Sequence, residues 1–248
     1  MEPTLIFLCI LFFLIALFYS MAGFGGGSSY LAVMVLFGLS FQSIRPIGLF
    51  CNIIVTLSGF WHFYKAGYFR PERVLPFIVL SIPMAYIGGS LAISDYLFRL
   101  LLGVSLFFVA IRIALPGDSF ENGIVVSKAR AWFVGLPVGA ALGFMSGLVG
   151  IGGGIFLSPI LLLMRWVNVK EAAACASFFI LVNSLAGLGG QLQHGALDTH
   201  LLLPLGISVF LGGQLGAHFS AYRLPRRALE KVLAVLVFYV SAKLLWGI

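Results

Sequence analysis

Charged side chains are scarce in this 248-residue sequence: 9% of residues are Asp, Glu, Lys or Arg, against 61% that are hydrophobic. A water-soluble domain carries about 25% charged residues, so these are too few to cover a soluble globule. Intrinsic disorder is excluded as well, because it requires low hydrophobicity and high charge. Carboxylates are rarer still. All eight (Glu2, Glu72, Asp95, Asp118, Glu121, Glu171, Asp198 and Glu230) fall near the termini or between apolar runs. None sits mid-span as a proton or cation carrier would require. There is no carboxylate pair, Ser-His-Asp grouping or helical H-E-x-x-H on which to build an enzyme. The three cysteines, Cys9, Cys51 and Cys175, lie within apolar runs and form no C-x-x-C pair, which argues against a dithiol electron carrier. No Cys/His cluster offers a metal site. The sequence therefore implies no cofactor and no catalytic role. The net charge of +7 points to basic residues retained in cytoplasmic loops rather than to a nucleic-acid partner.

What the chain has in abundance is long, continuous apolar runs and 30 glycines. With a mean hydropathy of +1.10, it reads as an all-α integral membrane protein whose surroundings are the lipid bilayer. Alternating ten-residue strands, the mark of a membrane β-barrel, are missing. Ten apolar segments are legible, at about 4–22, 27–40, 46–63, 74–92, 96–115, 131–149, 152–166, 172–190, 201–219 and 228–247. The N-terminus lacks the basic start and small-residue cleavage site of a removable signal, so the first segment is expected to persist.

The two halves repeat. Gly25-Gly26-Gly27 recurs as Gly152-Gly153-Gly154, an offset of 127; Thr56 then matches Ser184, Gly59 matches Gly187, Leu75-Pro76 matches Leu203-Pro204 and Gly88 matches Gly216, at 128. The chain thus reads as one membrane domain over 1–248: repeat one at 1–116, a polar linker at 117–130 and repeat two at 131–248, with five segments in each repeat. The second segment of each is short. Fourteen residues, as in 27–40, span about 21 Å as a helix, against a hydrocarbon core about 30 Å thick; these are half-helices or re-entrant arms. If each short segment returns the chain to its starting face, twelve of the fifteen basic residues share one side, leaving Arg45, Arg99 and Lys243 on the other. Without that return the split is eight to seven. The positive-inside rule favours the first arrangement, which inverts the halves relative to each other and puts both termini outside.

Three consecutive glycines cost about 1 kcal/mol each in a helix interior and open the chain into a turn. Such backbone persists at membrane depth only where it lines protein or a wet cavity. The helix that follows points its free amides and positive dipole end at the turn, a geometry that binds anions. Gly25, Gly26, Gly27 and Ser28, with Gly152, Gly153 and Gly154, are therefore candidate anion ligands, brought together near the midplane by the inversion. Asn52, Thr56, Asn183 and Ser184 are the polar residues at depth that would line the cavity; interhelical hydrogen bonding is their alternative use. Arg45 and Lys170 follow the two short segments on opposite faces and could attract an anion, or else snorkel to the headgroups. Gly135, Gly139, Gly143 and Gly147, spaced by four, form a small-residue ridge for close helix packing, with Ala16 and Ser20 as counterparts in the first segment.

The stretch Gly143-Phe144-Met145-Ser146-Gly147-Leu148-Val149-Gly150-Ile151-Gly152-Gly153-Gly154-Ile155-Phe156-Leu157-Ser158-Pro159, with its echo at Gly23-Phe24-Gly25-Gly26-Gly27, resembles the signature of the sulfite exporter TauE/SafE family, also called the toluenesulfonate uptake permeases. In the first repeat Ser28-Ser29-Tyr30-Leu31-Ala32 replaces the apolar run that holds Pro159 in the second. The resemblance implies a cell-membrane permease or exporter for sulfite, sulfonates or a related small sulfur-containing anion. A non-transporting assembly factor or membrane scaffold is the alternative.

Overall fold

The computed structural model describes residues 3–21, 23–114, 127–194, 199–219 and 237–246. Among them every regular element is helical. The first half contains α1 (Pro3–Met21), α2 (Gly27–Leu36), α3 (Phe41–Lys65), α4 (Pro71–Ser90) and α5 (Asp95–Ala114). The second contains α6 (Lys128–Val149), α7 (Gly154–Leu163), α8 (Val169–Gln191), α9 (Thr199–Phe219) and α10 (Val237–Trp246). Most of the linker expected at 117–130 lies outside the described residues, as does the start of the tenth segment. The linker ends earlier than expected, because Ser127 caps α6 by accepting from the Arg130 amide.

Six helices (α1, α3, α4, α6, α8 and α9) are long and apolar enough to cross a bilayer. Their outer faces carry large apolar side chains in the open, among them Phe7, Leu57, Val79, Phe133, Leu203 and Ile207. In water this much exposed apolar surface would drive association; in lipid it is the correct solvent. The multi-pass membrane reading follows from this distribution.

The short segments are shorter than the sequence suggested. α2 and α7 have 10 residues each, about 15 Å of helix. Their ends are built alike. In α2 the Phe37, Gly38 and Leu39 amides turn back onto Val33, Val35 and Met34, with Gly38 at φ 71. In α7 the Met164, Arg165 and Trp166 amides do the same, with Arg165 at φ 56 in the place of Gly38. The next helix starts at once: Ser40 caps α3 by accepting from the Ser43 amide, and Asn168 caps α8 in a reciprocal capping box with Glu171. These caps start α3 and α8 several residues before the apolar runs at 46 and 172. They satisfy amides that a helix start otherwise leaves bare.

The halves interlock. α6 packs along α4, and α1 along α9. The Gly139, Gly143 and Gly147 ridge lies directly on the backbone carbonyls of Phe77, Ser81 and Ala85 in α4, while Gly212 and Gly216 of α9 lie on those of Phe13 and Leu17 in α1. Ser20 donates to the Gly213 carbonyl (2.8 Å) in the second seam. The core accordingly divides into two apolar clusters. One joins α1, α2, α3 and α5 to α9 and α10 through Phe12, Tyr30, Phe98, Val209 and Val240. The other joins α4 to α6, α7 and α8 through Phe77, Leu157, Trp166 and Phe179. α3 and α8 pack against each other between the clusters.

A Cβ added at Gly139 or Gly147 would meet a carbonyl of α4, whereas at Gly189 its nearest neighbours are Tyr86 ring atoms 3.9 Å away. Gly139→Val and Gly147→Val are expected to destabilise by about 1–3 kcal/mol through overpacking. Gly189→Ala should be neutral or slightly stabilising. Thermal unfolding of the detergent-solubilised variants checks the contrast.

Candidate functional site

Each half opens a turn before its short helix. In the first, the Gly23 and Phe24 amides close α1 onto the carbonyls of Ser20 and Tyr19, and the Ser29 and Tyr30 amides both donate to the Gly26 carbonyl to start α2. Gly23 and Gly26 adopt left-handed φ of 76 and 83. In the second turn Gly150, Gly152 and Gly153 have φ of 90, 88 and 72, and the Phe156 and Leu157 amides donate to Gly153. These conformations are open to glycine and strained for other residues. They leave the leading amides of α2 and α7 without intrahelical carbonyls, at the positive ends of the helix dipoles.

The two turns meet. A Cβ on Gly27 would lie 2.7 Å from the Ile151 carbonyl oxygen. Asn52, fully buried on α3, fills the junction. Its Nδ2 donates to the Ile151 carbonyl of the second turn (3.0 Å), while its side chain packs on Gly25 and Gly27 of the first. That bond fixes the amide orientation and leaves Oδ1 against the first turn with no hydrogen-bond partner among the described residues. Thr56, one turn along, donates to the Asn52 carbonyl (2.6 Å) and touches Gly25. From the other side, Ser184 on α8 lies beside Gly152, its hydroxyl likewise unpartnered among the described residues. α8 also anchors the surroundings: Ser177 donates to the Gly23 carbonyl (2.6 Å) and Gln191 to that of Gly147 (3.1 Å).

A narrow, partly open cleft with about 10 Å³ of free space, room for about one water molecule, lies between the turns. One wall is formed by Tyr19 and residues 24–28; the other by Ile151, Ile155 and Ile180. No carboxylate stands among these residues.

Of the residues singled out from sequence, Gly25, Gly26, Gly27, Ser28, Asn52, Thr56, Gly152 and Ser184 come together around this junction. Gly153 and Gly154 shape the second turn but pack against protein: Gly153 against Phe179 and Ser146, Gly154 against Ile180 and the Ala176 carbonyl. Asn183 donates to the Phe179 carbonyl of its own helix (2.8 Å), with Oδ1 unpartnered among the described residues. Arg45 is half-buried. Its backbone abuts Gly150 behind the second turn and its guanidinium reaches the Gly88 carbonyl (3.5 Å). Lys170 is exposed, over the Tyr68 ring and donating to its hydroxyl (3.1 Å). It sits in the first turn of α8, whereas Arg45 lies in the second turn of α3, so the two cations do not occupy equivalent places. Beside Lys170, Arg70 pairs with Glu171 at 2.6 Å. The hydrogen bond that Arg70 donates to the Glu171 carboxylate, and then the charge of that carboxylate, hold the Arg70 guanidinium above its ordinary range. The pair joins the loop before α4 to the start of α8.

Sequence reasoning missed Tyr19 and the isoleucine wall. Ile155 and Ile180 carry no polar mark, but the repeat offset pairs them with Ser28 and Asn52, and that pairing was the available signal.

The sulfite exporter TauE/SafE family model matches residues 8–244. The chain belongs to this family. Among its relatives is the probable membrane transporter protein y4hK of Sinorhizobium fredii, 35% identical over 99% of this chain and 100% of its own. Probable membrane transporter protein YunE of Bacillus subtilis is 23% identical over 92% of each chain. Probable membrane transporter protein MamO of Magnetospirillum gryphiswaldense is 25% identical over 89% of this chain and 42% of its own length. The TauE/SafE match and these relatives make the chain a membrane transporter, not an enzyme.

Asn52→Leu, which leaves the Ile151 carbonyl without its donor, is expected to lower stability by about 1–3 kcal/mol. Thr56→Val, which loses a bond within one helix, should cost less. Comparing the melting temperatures of the two variants tests whether Asn52 is what ties the turns together.

Proposed function

We propose that this chain is a cell-membrane permease or exporter that moves a small sulfur-containing anion (sulfite, an organosulfonate or a related species) by alternating access. The observation that carries the proposal is the meeting of two glycine-opened helix starts around Asn52, inside a bundle with a lipid-compatible surface. Amides at the head of α2, aided by Ser28, hold the anion's oxygens. The second turn, with Gly152, Gly153 and Gly154, closes from the opposite side. Thr56, Asn183 and Ser184 supply the polar lining, and Arg45 behind the second turn adds positive potential. Lys170, out at the surface, acts on the approach of the anion rather than on its coordination.

The packing supports two inverted five-segment repeats, 1–116 and 131–248. α1 lies on α9 as α6 lies on α4, and α3 contacts α9 as α8 contacts α4, which is the exchange expected of halves related by a two-fold axis in the membrane plane. The twelve-to-three division of basic residues supports termini on the outer side. Movement of the second turn, with Ile151 and Ile155, away from the first turn and Tyr19 would widen the narrow cavity towards one face and then the other.

The experiment is flux into proteoliposomes. Saturable movement of sulfite or an alkyl sulfonate is expected. Gly26→Leu, which strains the first turn at φ 83 and presses a side chain on Ile15 and Tyr30 behind it, should abolish flux in protein that still purifies as a monodisperse peak. Absence of saturable flux across sulfite, sulfonates and thiosulfate would sink the transport reading and favour a scaffold.

A further inference from the structure

The two ends of the α3–α8 pair are fastened differently. Where α3 finishes and α8 begins, three contacts run from the α3–α4 connection of repeat one to the head of α8 in repeat two. The Arg70 guanidinium donates to Glu171 Oε1 (2.6 Å), the Lys170 ammonium to the Tyr68 hydroxyl (3.1 Å) and the Cys175 thiol to the Arg70 carbonyl (3.8 Å). Phe60 and Phe69 pack on Phe178 beside them. Glu171 is ordered before the pair forms, because its Oε2 accepts from the Asn168 amide in the cap of α8. Ion pairs at surfaces lose much of their worth in ordering two long side chains; here one is already in place and only 13% exposed.

These contacts lie across a route to the cleft. On α3 and α8, Phe63 and Ala173 stand between this end and the junction residues Asn52 and Ile180. Gly23, ahead of the first turn, is wedged between Phe63 and Ala173, and its carbonyl accepts from Ser177 (2.6 Å). Opening the cleft towards this end requires the tail of α3 and the head of α8 to part. At the opposite end the repeat preserves the backbone: Gly150 rests on Arg45 as Gly23 rests on Ala173, and Ser40 caps α3 as Asn168 caps α8. It does not preserve the side chains. At the offset of 128, Glu171 is matched by Ser43, Lys170 by Gln42, Arg70 by Asp198 and Tyr68 by Ala196. Ala196 and Asp198 lie outside the described residues, but their identities with those of Gln42 and Ser43 supply no cation to pair with a carboxylate.

We infer that Arg70 and Glu171 form a charge latch, braced by Lys170 on Tyr68, that holds the end of the bundle where α3 finishes and α8 begins shut, with no matching latch at the other end. This rests on the alternating-access reading and adds to it which end is fastened at rest.

Cys175, one helical turn from Glu171 and buried beneath the connection, reports opening; Cys51, buried in the other apolar cluster, is the control. The full chain in detergent, with no anion added, is treated with N-ethylmaleimide, and alkylation of each cysteine is followed by peptide mass spectrometry. Arg70→Gln is expected to quicken alkylation of Cys175 about fivefold, as local opening loses its ion pair, and to leave Cys51 unchanged. Glu171→Gln should do the same, although glutamine still serves the capping box, so a capping role alone would leave Cys175 protected. The double variant should go no further than either single one, because the two residues act as one pair. Salt at about 1 M, which shortens screening to about 3 Å, should quicken Cys175 in the wild type but not in the variants, and this arm needs no substitution to fold. Cys175 unmoved by both substitutions and by salt, or Cys51 quickened equally, overturns the latch. Flux with Cys175 unmoved sinks the latch alone; an exposed Cys175 in the variants with no saturable flux of any anion sinks the transport reading alone.

Discussion

Lipid offers no hydrogen bonds, and that constraint governs the rest of this structure. A helix that stops at membrane depth leaves amides and carbonyls that only protein or trapped water can satisfy. The chain breaks twice inside buried backbone, ahead of α2 and ahead of α7. Placing the two breaks against each other lets a single residue serve both: Asn52 hydrogen-bonds the second and packs on the first. The enclosure then follows from need, because α3 and α8 must stand on either side of the breaks to shield them.

Close approach of backbones makes the enclosure possible. Between helices in lipid there is no hydrophobic drive to association, so contact depends on tight packing and on hydrogen bonds. The glycine ridge of α6 brings it onto α4 carbonyls, and the α1–α9 seam uses Gly212, Gly216 and the Ser20 bond to do the same. Each half's fourth helix is thereby committed to the other half. The cavity borders the first cluster, which supplies Tyr19 from one half of the chain and Ile151 and Ile155 from the other.

Much of this was legible in the sequence, and for physical reasons. Apolar runs mark spans because lipid imposes them. Triplet glycines mark breaks because Gly26, Gly152 and Gly153 take left-handed φ that strains other residues, and Gly25, Gly27 and Gly154 leave no room for a Cβ. The four-residue glycine spacing marks a packing seam because it falls on one helix face. Helix starts were less legible: Ser40 and Asn168 pull α3 and α8 back through polar capping that an apolar-run reading passes over. Lys170 was drawn towards the site by its place after a short segment, yet its register in α8 turns it to Tyr68 and the surface. The isoleucine wall stayed hidden because isoleucine in a membrane span looks the same whether it faces lipid, core or a guest. Only comparison of one repeat with the other distinguishes it.

The exchange of fourth helices has a bearing on how the molecule is made. As the chain leaves the ribosome, α4 enters the membrane before α6 exists, and α1 waits longer still for α9. Each has a carbonyl-lined strip shaped for glycines that have not yet been synthesised. Until they arrive, the first five helices lack the partners that α1 and α4 pack against, and the seams of the first half are closed only by helices of the second.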